Sequence, residues 1–137
     1  MIAPLTALPI ATGVADRVAS IHVLEHFQRW IVDDVLREWI RILKPGGWLI
    51  IEVPSMDKVI HYLRSMPEGF EKVDMQMTSW ALWGDPRHHD PHMMHHWGYC
   101  SKELCTILHS VGLVHIHEEA PRYHRRDRDM RITGRKP

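Results

Sequence analysis

The chain has 137 residues, of which 45% are hydrophobic and 25% charged, and its formal net charge at pH 7 is zero. This length allows one globular domain with a buried core and is too short for two full domains. No apolar run approaches the roughly 18 residues that cross a bilayer, and the N-terminus lacks the pattern of a signal peptide. We therefore expect a cytoplasmic protein without membrane segments.

The first predicted elements are a strand and a helix. Residues 1–13 contain prolines and a glycine, and we expect them to be irregular. Residues 16–22 are rich in β-branched and small apolar side chains, which predicts a buried strand. Between residues 29 and 43, apolar side chains recur at helical spacing with charged residues between them. The residues on this apolar face are Val32, Val35, Leu36, Trp39 and Leu43.

A turn and a second strand follow this helix. Pro45 cannot continue the helix, and Gly46 and Gly47 permit the left-handed turn that ends it. Residues 48–53 are then an almost continuous apolar strand, which Pro54 closes. A strand, helix and strand of these lengths predict a right-handed parallel crossover.

The next predicted helix covers residues 57–66, with Val59, Ile60 and Leu63 on its apolar side. Pro67 and Gly69 are expected to end this helix. Residues 71–99 are rich in Trp and His and show no clear periodicity, which indicates a functional insertion or a lid.

The last third of the chain predicts a helix and two strands. Ser101 is expected to be the N-cap of a helix that ends at Gly112 and turns Leu104, Ile107, Leu108 and Val111 inward. Residues 113–119 and 129–134 predict two strands. Because their connection is too short for a crossover helix, the strands should form an antiparallel hairpin.

Two motifs together resemble a known family. They are Val18-Ala19-Ser20-Ile21-His22-Val23-Leu24-Glu25-His26-Phe27 and Leu43-Lys44-Pro45-Gly46-Gly47-Trp48-Leu49-Ile50-Ile51-Glu52-Val53-Pro54. This combination resembles the central strand, helix and strand of class I S-adenosylmethionine-dependent methyltransferases of the type 11 group. The resemblance begins about 20 residues from the N-terminus, so it covers only the C-terminal half of that family's fold.

The resemblance implies an α/β fold, namely a partial Rossmann-like methyltransferase fold. Its C-terminal half would comprise parallel strands, a terminal antiparallel hairpin and flanking helices. We expect residues 1–137 to form one truncated domain of this kind.

In this family, most contacts to S-adenosylmethionine come from the half of the fold that the resemblance does not cover. That half carries a Gly-rich turn and a carboxylate for the ribose hydroxyls. The eight glycines of this chain include no Gly-x-Gly, and Pro4 stands where relatives carry an acidic residue beside the adenine. We therefore expect cofactor binding and methyl transfer only when another chain completes the site. That chain would be a second copy in a homo-oligomer or a complementary N-terminal half.

The resemblance also implies site residues. The cofactor would lie against Leu5, Ser20, Ile21 and His22, while Glu25 and His26 would face the reaction, with His26 as the candidate base. Some quinone-pathway relatives hold a metal at a Glu-x-x-Glu-His motif whose first position is His22 here. The residue types would suit a metal or acid–base cluster. Capping and packing roles at the strand-to-helix junction are the stronger interpretation.

A second group of candidates lies in the insertion, where five His residues occur between His88 and His96. Imidazole binds Zn²⁺, Ni²⁺ and Cu²⁺ well, but this spacing matches no structural zinc pattern, and we predict no resident metal. A solvated loop is the simplest interpretation. In relatives, a loop here covers the substrate, which implies roles for Trp83, His92, His95 and His96, and a His of this loop is the alternative to His26 as the candidate base.

Core packing is the default interpretation for all six Trp residues. Trp30, Trp39 and Trp48 lie where packing explains them, whereas Trp80, Trp83 and Trp97 could line a pocket.

The C-terminal segment is basic, which could suit a phosphate or an acidic partner. Aromatic side chains for stacking are sparse there, so local Arg–Asp pairing is the simpler interpretation and nucleic acid an unlikely partner. The basic residues are Arg122, Arg125, Arg126, Arg128, Arg131, Arg135 and Lys136.

Three hypotheses for function follow. The first is a methyltransferase-like protein that acts on a small molecule after completion by another chain. The second is a non-catalytic remnant or interaction subunit, and the third and weakest is a His-rich metal-binding module.

Overall fold

A computed structural model describes residues 4–66 and 73–137. The predicted helix end at Pro67 and Gly69, and the first two residues of the predicted insertion, lie outside the described residues. The strands are β1 (Ala15–Ile21), β2 (Leu43–Pro54), β3 (Val114–Glu119) and β4 (Asp129–Arg135). The helices are α1 (Val32–Ile42), α2 (Met56–Ser65), α3 (Ser79–Trp83) and α4 (Ser101–Ser110).

The strands form one mixed sheet in the order β1-β2-β4-β3. Strands β1 and β2 are parallel, with Ser20 opposite Ile51, and α1 connects them. Strand β4 is antiparallel to both β2 and β3. The predicted α/β class, the parallel crossover and the C-terminal antiparallel pair are all confirmed.

The core lies between the sheet and helices α1 and α4. All five apolar residues of the predicted α1 face are buried, as are the four of the α4 face. They pack against Leu49, Ile51 and Val53 of β2 and against Met130 and Ile132 of β4. Each fully buried Leu or Val side chain contributes about 1.5–3 kcal/mol to folding, so this cluster fixes how α1 and α4 lie on the sheet.

The burial of three elements differs from the prediction. In strand β1 only Ser20 is buried and the other residues are half-buried or exposed, because β1 lies at the edge of the sheet. In α2 only Val59 is buried, and Ile60 and Leu63 are each 40% exposed. Trp30 is 80% exposed because it lies in a 3₁₀ turn before α1, outside the helix face that packs on the core.

The helix ends also differ in detail. Ser101 is the first residue of α4 and not its N-cap; its backbone N–H donates to the Asp57 carboxylate at 3.0 Å. Helix α1 ends at Ile42, before the glycines, and of Gly46 and Gly47 only Gly46 takes a left-handed conformation, with φ 78°. The amino group of Lys136 donates to the carbonyl of Ile40 at 2.8 Å and so satisfies the carboxyl end of α1.

A buried charged pair joins the two central strands. Arg131 of β4 donates to Glu52 of β2 at 3.1 Å, and both side chains are almost fully buried. Glu52 also accepts the backbone N–H groups of Arg122, Tyr123 and His124. Burial alone would raise the pKa of Glu52, but these donors hold it below its usual range. Glu52 thereby anchors the β3–β4 connection at the end of the sheet.

The basic C-terminal segment shows the expected local pairing. Arg125 contacts Asp127 at 2.7 Å, and Arg128 pairs with Asp129. Two features go beyond local pairing: Arg131 is buried, and Arg125 also contacts the distant Asp74 at 2.6 Å. Among the residues described, no helix is long and apolar enough to cross a membrane.

Candidate functional site

The candidate site begins where β1 ends, at the carboxyl edge of the parallel pair. Ligands of open α/β sheets bind at this edge. His22, the first residue after β1, has a left-handed backbone with φ 52° and donates its N–H to the carbonyl of Glu52 at 2.8 Å. A 3₁₀ turn, Leu24–His26, follows directly. The strained residue and the tight turn place three ionisable side chains, those of His22, Glu25 and His26, at the strand end.

His22 lies between two carboxylates. Its Nδ1 is 2.9 Å from Glu25 Oε1, and its Nε2 is 3.1 Å from Asp129 Oδ2. Burial alone would lower the pKa of His22, but the two carboxylates together raise it to about 9. Burial likewise opposes ionisation of Asp129, whereas His22 and Arg128 lower its pKa to about 2. His22 is therefore a charged imidazolium at neutral pH.

Glu25 is a buried carboxylate with few partners. Glu25 is 1% exposed, and within the described residues neither of its carboxylate oxygens accepts a hydrogen bond of good geometry. The contact with His22 is thus an ion pair by distance rather than a directed hydrogen bond. The backbone of Glu25 is firmly held, because its carbonyl accepts the N–H of His96 at 2.7 Å.

His26 and His95 face each other beside Glu25. The Nδ1 atom of His26 is 3.1 Å from the carbonyl oxygen of Met94, and Nδ1 of His95 is 3.0 Å from that of Ala81. A carbonyl only accepts, so each Nδ1 carries a proton, and in the neutral ring the lone pair lies on Nε2. Burial lowers the pKa of His95 and favours its neutral form. The two rings meet edge to face at 4.9 Å.

A cavity of about 530 Å³ lies beside this cluster. Its walls come from the insertion, and Met94, which lines the cavity, also contacts His26 through its backbone carbonyl. Arg87 lies over the Trp80 ring at 4.4 Å and supports that wall. The side chains that give the cavity its apolar and aromatic character are Met75, Trp80, Trp83, Met93 and Met94.

The structure brings together only part of the predicted site. Ser20, His22, Glu25, His26 and His95 lie at or near the end of β1, and Trp83 lines the cavity.

The other predicted residues lie elsewhere or face away. His92 and His96 are exposed, although their backbone N–H groups are bonded. Leu5 is half-buried against the hydrophobic core, and Ile21 is half-buried in β1.

Two residues of the site were missed. Asp129 pairs with His22, and the ring of His124 lies 4.2 Å from that of His22. The signal for Asp129 was its position at the start of the last predicted strand. Because β4 pairs with β2 beside β1, that start lies near the end of β1.

Comparisons with solved structures give the same fold. A methyltransferase from Methanosarcina mazei matches with a TM-score of 0.64 and 16% identity, over 99% of this chain and 66% of that chain. The 1,6-didemethyltoxoflavin-N1-methyltransferase of Burkholderia thailandensis, solved with bound 1,6-didemethyltoxoflavin and S-adenosylhomocysteine, matches with a TM-score of 0.60 and 14% identity. That match covers 98% of this chain and 48% of the enzyme.

A third match is a chain of the complex that the Haloferax volcanii Trm112 methyltransferase activator forms with a methyltransferase. Its TM-score is 0.62 at 16% identity, over 100% of this chain and 61% of that chain. The chain thus spans less than two thirds of the length of each of these three structures. No curated protein sequence matches the chain.

The model of one sequence family, described as "Methyltransferase domain", matches residues 10–118. This match covers most of the chain, including both motifs and the residues around His22, Glu25 and His95. The chain belongs to this methyltransferase family.

Proposed function

We propose that this chain provides the acceptor side of an S-adenosylmethionine-dependent methyl-transfer site. The observation that carries the proposal is the position of the cluster. Glu25, His26 and His95 lie at the carboxyl end of the parallel strand β1, next to an apolar cavity. This is the edge of the sheet at which such folds bind ligands.

The residues at the end of β1 fit one side of the cofactor. Ser20 is buried, and within the described chain its hydroxyl has no hydrogen-bond partner. A buried hydroxyl without a partner costs free energy, which a polar group of a ligand would restore. Ser20, Ile21 and His22 would therefore hold the methionine part of the cofactor. When bound, the cofactor supplies a sulfonium methyl group that a nucleophile attacks as the carbon–sulfur bond breaks.

The acceptor would lie in the cavity of the insertion. Its Trp and Met walls suit a small molecule with a flat apolar or aromatic body. His26 is the candidate base, because its Nε2 has a lone pair and its ring is fixed by Met94. It would take the proton that the acceptor's oxygen or nitrogen loses on methylation.

The site needs strands beyond the free edge of β1. Within the described part of the chain, β1 pairs only with β2, so one row of its backbone N–H and C=O groups is unpaired. A second copy could cover this edge but could not supply a Gly-x-Gly turn, which the sequence lacks. A complementary chain with parallel strands would supply both. The Haloferax methyltransferase complex illustrates that a protein of this fold can work with a second chain.

A non-catalytic interaction subunit is the second candidate. It is favoured by the same free edge, and by the sheet face opposite α1 and α4, which carries a groove of about 350 Å³. This groove is lined by charged and aromatic side chains, including Arg17, Trp48 and His117. Such a charged and aromatic face suits contact with a partner protein.

Calorimetry of the chain with S-adenosylmethionine separates an autonomous site from an incomplete one. For the chain alone we expect a dissociation constant of about 1 mM or weaker, which corresponds to about −4 kcal/mol. Micromolar binding by the chain alone would contradict the need for a second chain. S-adenosylhomocysteine, which lacks the reactive methyl group, is the matched control ligand, and we expect a similar dissociation constant for it.

A further inference from the structure

We infer that Glu25, His26 and His95 form a binding site for one divalent transition-metal ion, of which Zn²⁺ is the best-suited common example. One ligand atom from each of the three residues lies within 4.8 Å of the others. The inference goes beyond methyl transfer and does not depend on it. It also departs from the sequence-based expectation that the chain holds no metal.

The two imidazoles are prepared for metal binding. In metal sites, the ligating His donates its other ring N–H to a carbonyl or carboxylate, which fixes the tautomer and the orientation of the ring. Both His26 and His95 show this arrangement through the carbonyls of Met94 and Ala81. Their Nε2 lone pairs are therefore free and fixed in direction before any ion binds.

Glu25 gives an independent reason for a cation. A carboxylate that is 1% exposed and has no well-formed hydrogen bond among the described residues is costly to bury. His22 lies 2.9 Å from Oε1, which leaves Oε2 without a partner. A divalent ion bound at Oε2 would offset that cost.

The three proposed ligands differ from the two candidate groups seen in the sequence, which were the cluster at residues 22–26 and the His residues of the insertion. His22 is not a proposed ligand, because both of its ring nitrogens are used by Glu25 and Asp129. Among the His residues of the insertion, His88, His89, His92 and His96 are exposed, and His95 alone turns toward Glu25. Two ligands thus come from the turn after β1 and one from the insertion.

Two nitrogens and one oxygen favour Zn²⁺ and similar ions over Mg²⁺ or Ca²⁺, which prefer oxygen ligands. Zinc bonds of about 2.0–2.2 Å require the three ligand atoms to approach one another slightly, by small side-chain rotations. Three protein ligands leave a position open, as in catalytic rather than structural zinc sites. The metal would bind the Nε2 lone pair of His26, and His26 would use the same lone pair to act as a base. Metal binding and base catalysis by His26 therefore exclude each other.

The test is a titration of the full chain, freed of metal by a chelator, with Zn²⁺ by calorimetry and with Co²⁺ by visible absorption. We expect one ion per chain and a Co²⁺ spectrum of low coordination number. His95→Ala and His26→Ala should each weaken Zn²⁺ binding by at least about 100-fold, because loss of a mere supporting group already costs about 10–100-fold. Glu25→Gln should also weaken it while preserving the shape of the side chain.

His92→Ala and His96→Ala are the matched controls, because they remove exposed imidazoles from the same loop. We expect both to bind Zn²⁺ as the unchanged chain does. Circular dichroism of each variant checks folding, and folded variants alone are compared. The inference is overturned if the unchanged chain binds no ion. It is equally overturned if the controls lose binding while folded His26→Ala and His95→Ala retain it, which would indicate a non-specific His-rich loop.

Discussion

His22 Nε2 lies 3.1 Å from Asp129 Oδ2, so the end of β1 is tied to the first residue of β4. Glu25 holds the other side of the same ring. The pair therefore joins two strands that are not neighbours in the sheet. It also fixes the turn that carries Glu25 and His26.

This contact predicts a pH-dependent stability. The pKa of His22 rises from 6.5 to about 9 on folding. Its contribution is thus complete below pH 6.5 and disappears as the pH rises through about 9. The pKa of Asp129 falls from 3.8 to about 2, so its contribution is present above pH 3.8 and disappears as the pH falls through about 2.

Denaturant unfolding of the unchanged chain and of His22→Gln checks this. We expect the variant to be less stable by on the order of 2 kcal/mol near pH 6, and the difference to shrink toward pH 9. His109→Gln, at an exposed position on α4, should show no such change. A difference between the chain and His22→Gln that is constant from pH 6 to pH 9 would contradict the ion pair.

The cavity predicts a contrast between two exposed Trp residues. Trp83 is 66% exposed and lines the cavity, whereas Trp30 is 80% exposed and lies in the turn before α1. Trp83→Ala should weaken binding of a flat aromatic probe such as 2-naphthol roughly 3- to 10-fold, since aromatic contacts contribute about 0.5–1.5 kcal/mol. Trp30→Ala should leave it unchanged. Ligand-observed NMR measures both, and equal effects would argue against a binding role for the cavity.

The free edge of β1 predicts self-association when no complementary chain is present. The N–H of His22 points to β2, so by alternation along a parallel strand the N–H of Ala19 points to the free edge. Ala19→Pro removes that donor without breaking the β1–β2 ladder and should abolish pairing. Ala19→Val keeps the donor and should not. Light scattering should therefore find oligomers for the unchanged chain and Ala19→Val, and monomers for Ala19→Pro.

Much of the fold could be predicted from local pattern. The buried face of α1 and that of α4 follow from helical spacing, and the C-terminal antiparallel pair follows from the short β3–β4 connection. The exposure of β1 could not be predicted from its apolar composition, because burial of a strand depends on which strands lie beside it. The same applies to Ile60 and Leu63 of α2, whose spacing is helical but which no element among residues 4–66 and 73–137 covers fully.

The site was predictable only in part, for a similar reason. Glu25 and His26 stand out because they follow a predicted strand directly. Which of His92, His95 and His96 lies beside Glu25 depends on the backbone path of the insertion. There, short 3₁₀ turns such as Pro91–Met93 replace a regular helix. No spacing rule gives the direction of a side chain in such a segment, and the pairing of His22 with Asp129 needs the order of the whole sheet.

The most direct test of the central claim is an NMR titration of the isotope-labelled chain with S-adenosylhomocysteine. We predict weak, saturable shifts concentrated at the amides of residues 20–26, which Ser20→Ala should reduce. Because the Ser20 hydroxyl has no partner among the described residues, that variant should be at least as stable as the unchanged chain. An absence of shifts at the end of β1, or shifts centred on the sheet face that contains Trp48, would contradict the account.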